Sequence, residues 1–117
     1  MPTVHVVVKE VYDQTTKEKT LTISVKPETL DLTLEEEEVD VDWVLDNTAA
    51  PNWTFANDGI SIKAHGVHFA DNGGSVNRKH HGWKRKKRKN KKFNYTINLE
   101  DVADGAKASW DPRIINN

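Results

Sequence analysis

Phe93-Asn94-Tyr95-Thr96-Ile97-Asn98-Leu99 alternates apolar and polar residues without a break. A strand turns successive side chains to opposite faces, so this stretch puts an aromatic and aliphatic row on one face and amides and a hydroxyl on the other. The same period of two recurs at Val4, Val6 and Val8, at Leu21, Ile23 and Val25, and at Leu30, Leu32 and Leu34. It continues at Val39, Val41, Trp43 and Leu45, then at Phe55, Ile60 and Ile62. Between these runs fall Asp13-Gln14, Lys26-Pro27, residues 47–51, Asp58-Gly59, residues 71–74 and Asp104-Gly105, all of them turn-forming combinations. No stretch carries a helical apolar stripe; residues 35–38 are helix formers, but they connect two alternating runs. The pattern predicts an all-β fold: a single antiparallel β-sandwich of seven to eight strands and immunoglobulin-like size, spanning residues 1–117.

The 117 residues suffice for one domain with its own core. With no cysteine, disulfides, thiolate zinc, iron–sulfur clusters, cysteine nucleophiles and cupredoxin-type copper are excluded. No apolar run approaches the ~18 residues of a membrane span, and residues 1–9 lack the order of a secretory signal. A soluble, cytoplasmic protein is expected, with no cofactor. The formal charge of −1 conceals strong segregation. Nine acids and no base lie between Glu28 and Asp46, while residues 78–92 hold ten bases and no acid.

The C-terminus carries the most specific chemistry. Residues 108–117 read Ala-Ser-Trp-Asp-Pro-Arg-Ile-Ile-Asn-Asn, a strand ending in Asp111-Pro112 with an Arg-Ile-Ile-Asn tail. An Asp carboxyl can attack its own backbone carbonyl and close a five-membered anhydride, an intramolecular step of very high effective molarity. The proline nitrogen leaves as a secondary amine once protonated. The reaction needs that proton and donors for the tetrahedral oxyanion. Water then gives hydrolysis, and a lysine amine gives an isopeptide.

Together with the aromatic strand and the Asp-Gly turn, this Asp-Pro-Arg-Ile-Ile-Asn end resembles the bacterial DP-EP family of small self-processing β-sandwich proteins. Trp43, Leu45, Phe55, Gly59 and Ile60 fit its interior strands loosely. The resemblance implies cleavage at Asp111–Pro112, joining of the freed Asp to a lysine, and residues 112–117 as a strand segment released by cleavage. The chain departs from the family label in having no Glu-Pro pair, since its prolines follow Met1, Lys26, Ala50 and Asp111.

If residues 93–99 pair antiparallel with 107–114, Asp111 falls opposite residues 91–95. Lys92 is then the first choice for the isopeptide lysine and Lys91 the second, because one residue of slip exchanges them. A second carboxylate beside Asp111 would keep a proton available for the proline nitrogen. Asp42, on the polar face of the Val39–Leu45 alternation, is the candidate, with Asp58 behind it.

The other sharp feature is the basic segment 78–92, read as a loop or as a hairpin with its tip near Lys89-Asn90. Its stretch 84–92 has eight cations in nine residues. Lys84, Arg85, Lys86, Lys87, Arg88 and Lys89 form a candidate polyanion site, flanked by Trp83 and Phe93 for base stacking. The alternative function is therefore a non-enzymatic assembly or polyanion-binding module. Near-cancellation of the two charged segments favours pairing of the basic run with the acidic one, within one chain or in a homo-oligomer, over nucleic acid. His65, His68, Asp71, His80 and His81 offer metal-binding side chains without a ligand pattern, so no metal site is assigned.

Overall fold

The Phe93–Leu99 alternation lies within strand β8 (Lys91–Asp101) of the computed structural model, which describes residues 2–116. Its neighbours in chain order are β1 (Thr3–Asp13), β2 (Glu18–Lys26), β3 (Thr29–Asp31), β4 (Val39–Ala49), β5 (Trp53–Ile62), β6 (Phe69–Gly74), β7 (His80–Arg85), β9 (Lys107–Trp110) and β10 (Arg113–Asn116). There is no helix among the described residues. One sheet has the order β2-β1-β4-β7-β6 and the other β3-β10-β8-β5, with β9 also paired to β8.

The sheets are mixed. Most pairs are antiparallel, but β1 pairs β4 in parallel and β10 pairs β3 in parallel. The ten strands exceed the expected seven to eight because the single C-terminal strand is divided at Pro112 into β9 and β10, and because β6 and β7 carry no clear apolar alternation. Asn72-Gly73-Gly74 imitates a turn, yet belongs to β6 with a register irregularity between Asp71 and Gly73. Asp58-Gly59 likewise lies within β5, in a bulge between Phe55 and Ile60. A Cβ on Gly59 would lie 2.8 Å from Phe55 Cβ, so the bulge has room only for glycine. Leu34, expected on an apolar face, is 98% exposed. The chain turns away before it, with the Thr33 N–H donating to Asp31 Oδ1 at 2.9 Å.

The inward rows of both sheets form one core. Val4, Val6 and Val8 of β1 and Val41, Trp43 and Leu45 of β4 belong to it, as do Phe55, Ile60, Ile62, Phe93, Tyr95, Ile97, Leu99 and Ile114. Trp43 and Tyr95 meet edge to face across the sheets at 5.3 Å, and Phe69 meets Phe93 at 5.1 Å. Each such side chain contributes about 1.5–3 kcal/mol by leaving water. The opposite row of β8 (Lys92, Asn94, Thr96 and Asn98) faces outward or is only half-buried. That face bears the candidate site.

Candidate functional site

Strands β9 and β10 lie end to end along one edge of β8 in a single register. Trp110 pairs with Ile97 and Arg113 with Asn94, which puts Asp111 opposite Thr96 and Pro112 opposite Tyr95. The Tyr95 N–H donates to the Pro112 carbonyl at 3.1 Å. Proline has no N–H to return, so the ladder breaks there and one strand becomes two. Asp111 is exposed and Pro112 buried. The Thr96 hydroxyl donates to Asp111 Oδ1 at 2.7 Å. Register is set by the turn after β8, where Gly105, at φ +77, donates its N–H to the Asp101 carbonyl at 2.8 Å. Only glycine enters that backbone region without strain.

This register corrects the sequence expectation that Asp111 lies opposite residues 91–95. Lys92 pairs with Ile115 and Lys91 with Asn116, four or more residues further along, or about 13 Å of strand. The Lys91 ammonium lies 5.2 Å from the Phe93 ring centroid. The sequence-based register allowed too long a connection, whereas the ladder extends to Glu100–Lys107 before the turn. Thr96, missed as a partner, was legible as the outward hydroxyl of the alternating strand.

The two candidate carboxylates separate. Asp42 pairs with Gly82 in the other sheet, with its Oδ2 3.2 Å from His80 Nδ1. The structure does not bring it to Asp111. Asp58 sits exposed in the β5 bulge, where its carbonyl accepts from Asn98 Nδ2 at 2.7 Å. It shares an open depression with Asn98, Lys107 and Ser109, and Ser109 pairs with Asn98 across β8 and β9. A second groove, of about 440 Å³, lies on the other side of Asp111 and Pro112, walled by Trp110, Ile23, Val25 and Glu28.

Beyond Pro112 the chain is held on both flanks. Arg113, Ile114 and Ile115 pair with β3 as well as with β8. Ile114 is fully buried. The Asn116 side chain donates to the Lys87 carbonyl at 3.1 Å and accepts from Arg85 at 3.2 Å.

Arg85 is fully buried, which removes it from any polyanion site. Its guanidinium donates to the backbone carbonyls of Leu32, Glu35, Glu36 and Glu37, so the acidic segment wraps this cation with its main chain. Burial, and secondarily the charge of Arg88, push the Arg85 pKa below its ordinary value. Arg88 donates to the carbonyls of Thr33 and Glu35. Lys84 lies 3.9 Å from Asp40. Lys86, Lys87 and Lys89 remain exposed in residues 86–90, which link β7 of one sheet to β8 of the other; the basic segment is thus a strand plus a connection between sheets. Trp83 and Phe93 are core residues and unavailable for base stacking.

The histidines disperse. His81 is buried, with Nε2 2.8 Å from Asp71 Oδ1. His65 packs on Trp83 and His68 near Phe93. Among the described residues no three His, Asp or Glu side chains converge on a point where a metal would bind. Compared with models of known protein families and with curated proteins, the chain matches none.

Proposed function

We propose that this chain is a self-processing β-sandwich of the DP-EP type that cleaves its own Asp111–Pro112 bond by intramolecular acyl transfer. The observation that carries the reading is the placement of that bond. Its carboxyl is exposed and held by Thr96, while the residues that follow are clamped between β3 and β8. The Asp111 side-chain oxygen attacks the Asp111 carbonyl carbon, and the C–N bond to Pro112 breaks. The carboxyl proton ends on the proline nitrogen, and the leaving segment departs as a secondary amine. One water then opens the cyclic anhydride and restores two carboxyl groups at residue 111.

Water is favoured over lysine as the acceptor within one chain, because the cross-strand neighbour of Asp111 is a threonine and Lys92 lies opposite Ile115. Asp58, which lines the same depression as Asn98 and Ser109, is the better candidate for a second carboxylate than Asp42. The reaction class is that of an aspartic-type endopeptidase acting on itself. The polyanion alternative is weaker, since Lys84, Arg85 and Arg88 are already engaged with the acidic segment.

Intact mass of the purified chain, followed in time at mildly acidic to neutral pH, tests the proposal. Residues 112–117 should be lost from the denatured protein, and Asp111→Ala should abolish the loss. A full-length mass throughout, identical in the two proteins, refutes it.

A further inference from the structure

We propose that the free edge of β9 pairs with the same edge of a second copy of this chain, antiparallel and centred on Ser109. The pairing does not depend on whether the Asp111–Pro112 bond breaks. Strand β9 is bonded only to β8 among the described residues, so its other side is a template for a further strand.

Which backbone groups face that side follows from the ladder. The N–H groups of Tyr95 and Asp101 donate to the carbonyls of Pro112 and Ala106. Residues 106, 108, 110 and 112 therefore turn their backbone groups toward β8, and Lys107, Ser109 and Asp111 turn theirs to the free edge. An added antiparallel strand must match odd-numbered residues with odd-numbered ones. Centring on Ser109 is the register that engages all three, with Ser109 opposite Ser109 of the second copy and Lys107 opposite its Asp111.

Side chains select the same register. On the outer face each Lys107 ammonium meets an Asp111 carboxylate of the other copy, twice by symmetry. Thr96 donates to Asp111 Oδ1 from the β8 side, so the second carboxylate oxygen is the one to accept from Lys107 of the other copy. On the opposite face Trp110, 54% exposed, falls across from Ala108 of the second copy, a large ring against a small side chain. The chain leaves β9 at residues 101–106 by turning back toward β8, away from the incoming strand, and β3 begins only beside Arg113. No described strand thus pairs with the edge over the length the pairing needs, and its Asp111 end faces the groove walled by Ile23, Val25 and Glu28.

The charge pattern commits the edge to a copy of itself, and charge reversal tests it. Sedimentation over a concentration series should show a monomer–dimer equilibrium. Lys107→Glu or Asp111→Lys alone should weaken association about tenfold or more, and the double exchange should restore it. Ser109→Pro removes an N–H that points away from β8 and should give a monomer with an unchanged circular dichroism spectrum. Since the chain has no cysteine, Ser109→Cys supplies a single reporter, brought to about 5.5 Å between Cα atoms across the axis, within reach of a disulfide. It should crosslink under mild oxidation, whereas Lys107→Cys, which faces Asp111, should not. A monomer at every concentration overturns the proposal. So does a dimer indifferent to Ser109→Pro, or one in which the double exchange fails to rescue.

Discussion

At the residue scale the proposed cleavage rests on Asp111 and Thr96. One hydrogen bond of 2.7 Å fixes which way the carboxyl points relative to its own backbone carbonyl. Thr96→Val keeps the shape and removes the donor, and is expected to slow Asp111–Pro112 cleavage about tenfold, the equivalent of one hydrogen bond of ~1.4 kcal/mol. Thr96→Ser should retain most of the rate; equal rates in all three proteins by intact mass would deny the threonine a positioning role. Tyr95 gives a second prediction. Its hydroxyl and the Trp43 indole N–H are both buried without a hydrogen-bond partner among the described residues. Burial pushes the phenol up to about 12. The folded state thus retains a proton that the unfolded chain releases near pH 10.0. Stability from this group is complete below that pH and is lost as pH rises toward 12, up to about 3 kcal/mol. Urea unfolding between pH 8 and 11 should show wild type losing about half of this increment relative to Tyr95→Phe, and a constant difference would contradict it.

Among the elements, the line β9–Pro112–β10 shows how far the sequence reaches. The alternation in β8, the Asp-Gly turn and the antiparallel return were legible, because each is local chemistry. The register was not. It depends on how many residues the turn takes up, and the structure closes the ladder at Glu100–Lys107, moving Asp111 from the lysines to Thr96. Asp42 stood ahead of Asp58 in sequence, an outward strand acid against a turn acid, and only the assignment of β4 and β5 to different sheets separates them spatially. The buried Arg85 was hidden for a related reason, since nothing in a run of eight cations marks the one that the fold encloses. Its carbonyl partners span residues 32–37, so Arg85→Met would strand those acceptors and loosen the connection before β4. We expect a loss of about 3 kcal/mol in urea unfolding, with faster amide exchange in residues 33–37. A change under about 0.5 kcal/mol, the range of an unconstrained surface residue, would show that the enclosed cation is dispensable.

For the whole molecule, the charge segregation resolves into architecture. The acidic and basic segments meet through the β4–β7 ladder, the Lys84–Asp40 pair and the carbonyl cage around Arg85, all in one chain. That cage also holds Asn116, so the segment beyond the Asp111–Pro112 bond is tied to the centre of this network. Cleavage should consequently leave a nicked protein that stays assembled under native conditions and separates only on unfolding. The deciding measurement is a pair of mass spectra on one aged sample. The account predicts a native mass equal to the full chain plus one water, and a denatured mass lacking residues 112–117. An unchanged full-length mass under denaturing conditions, the same in wild type and Asp111→Ala, would contradict it.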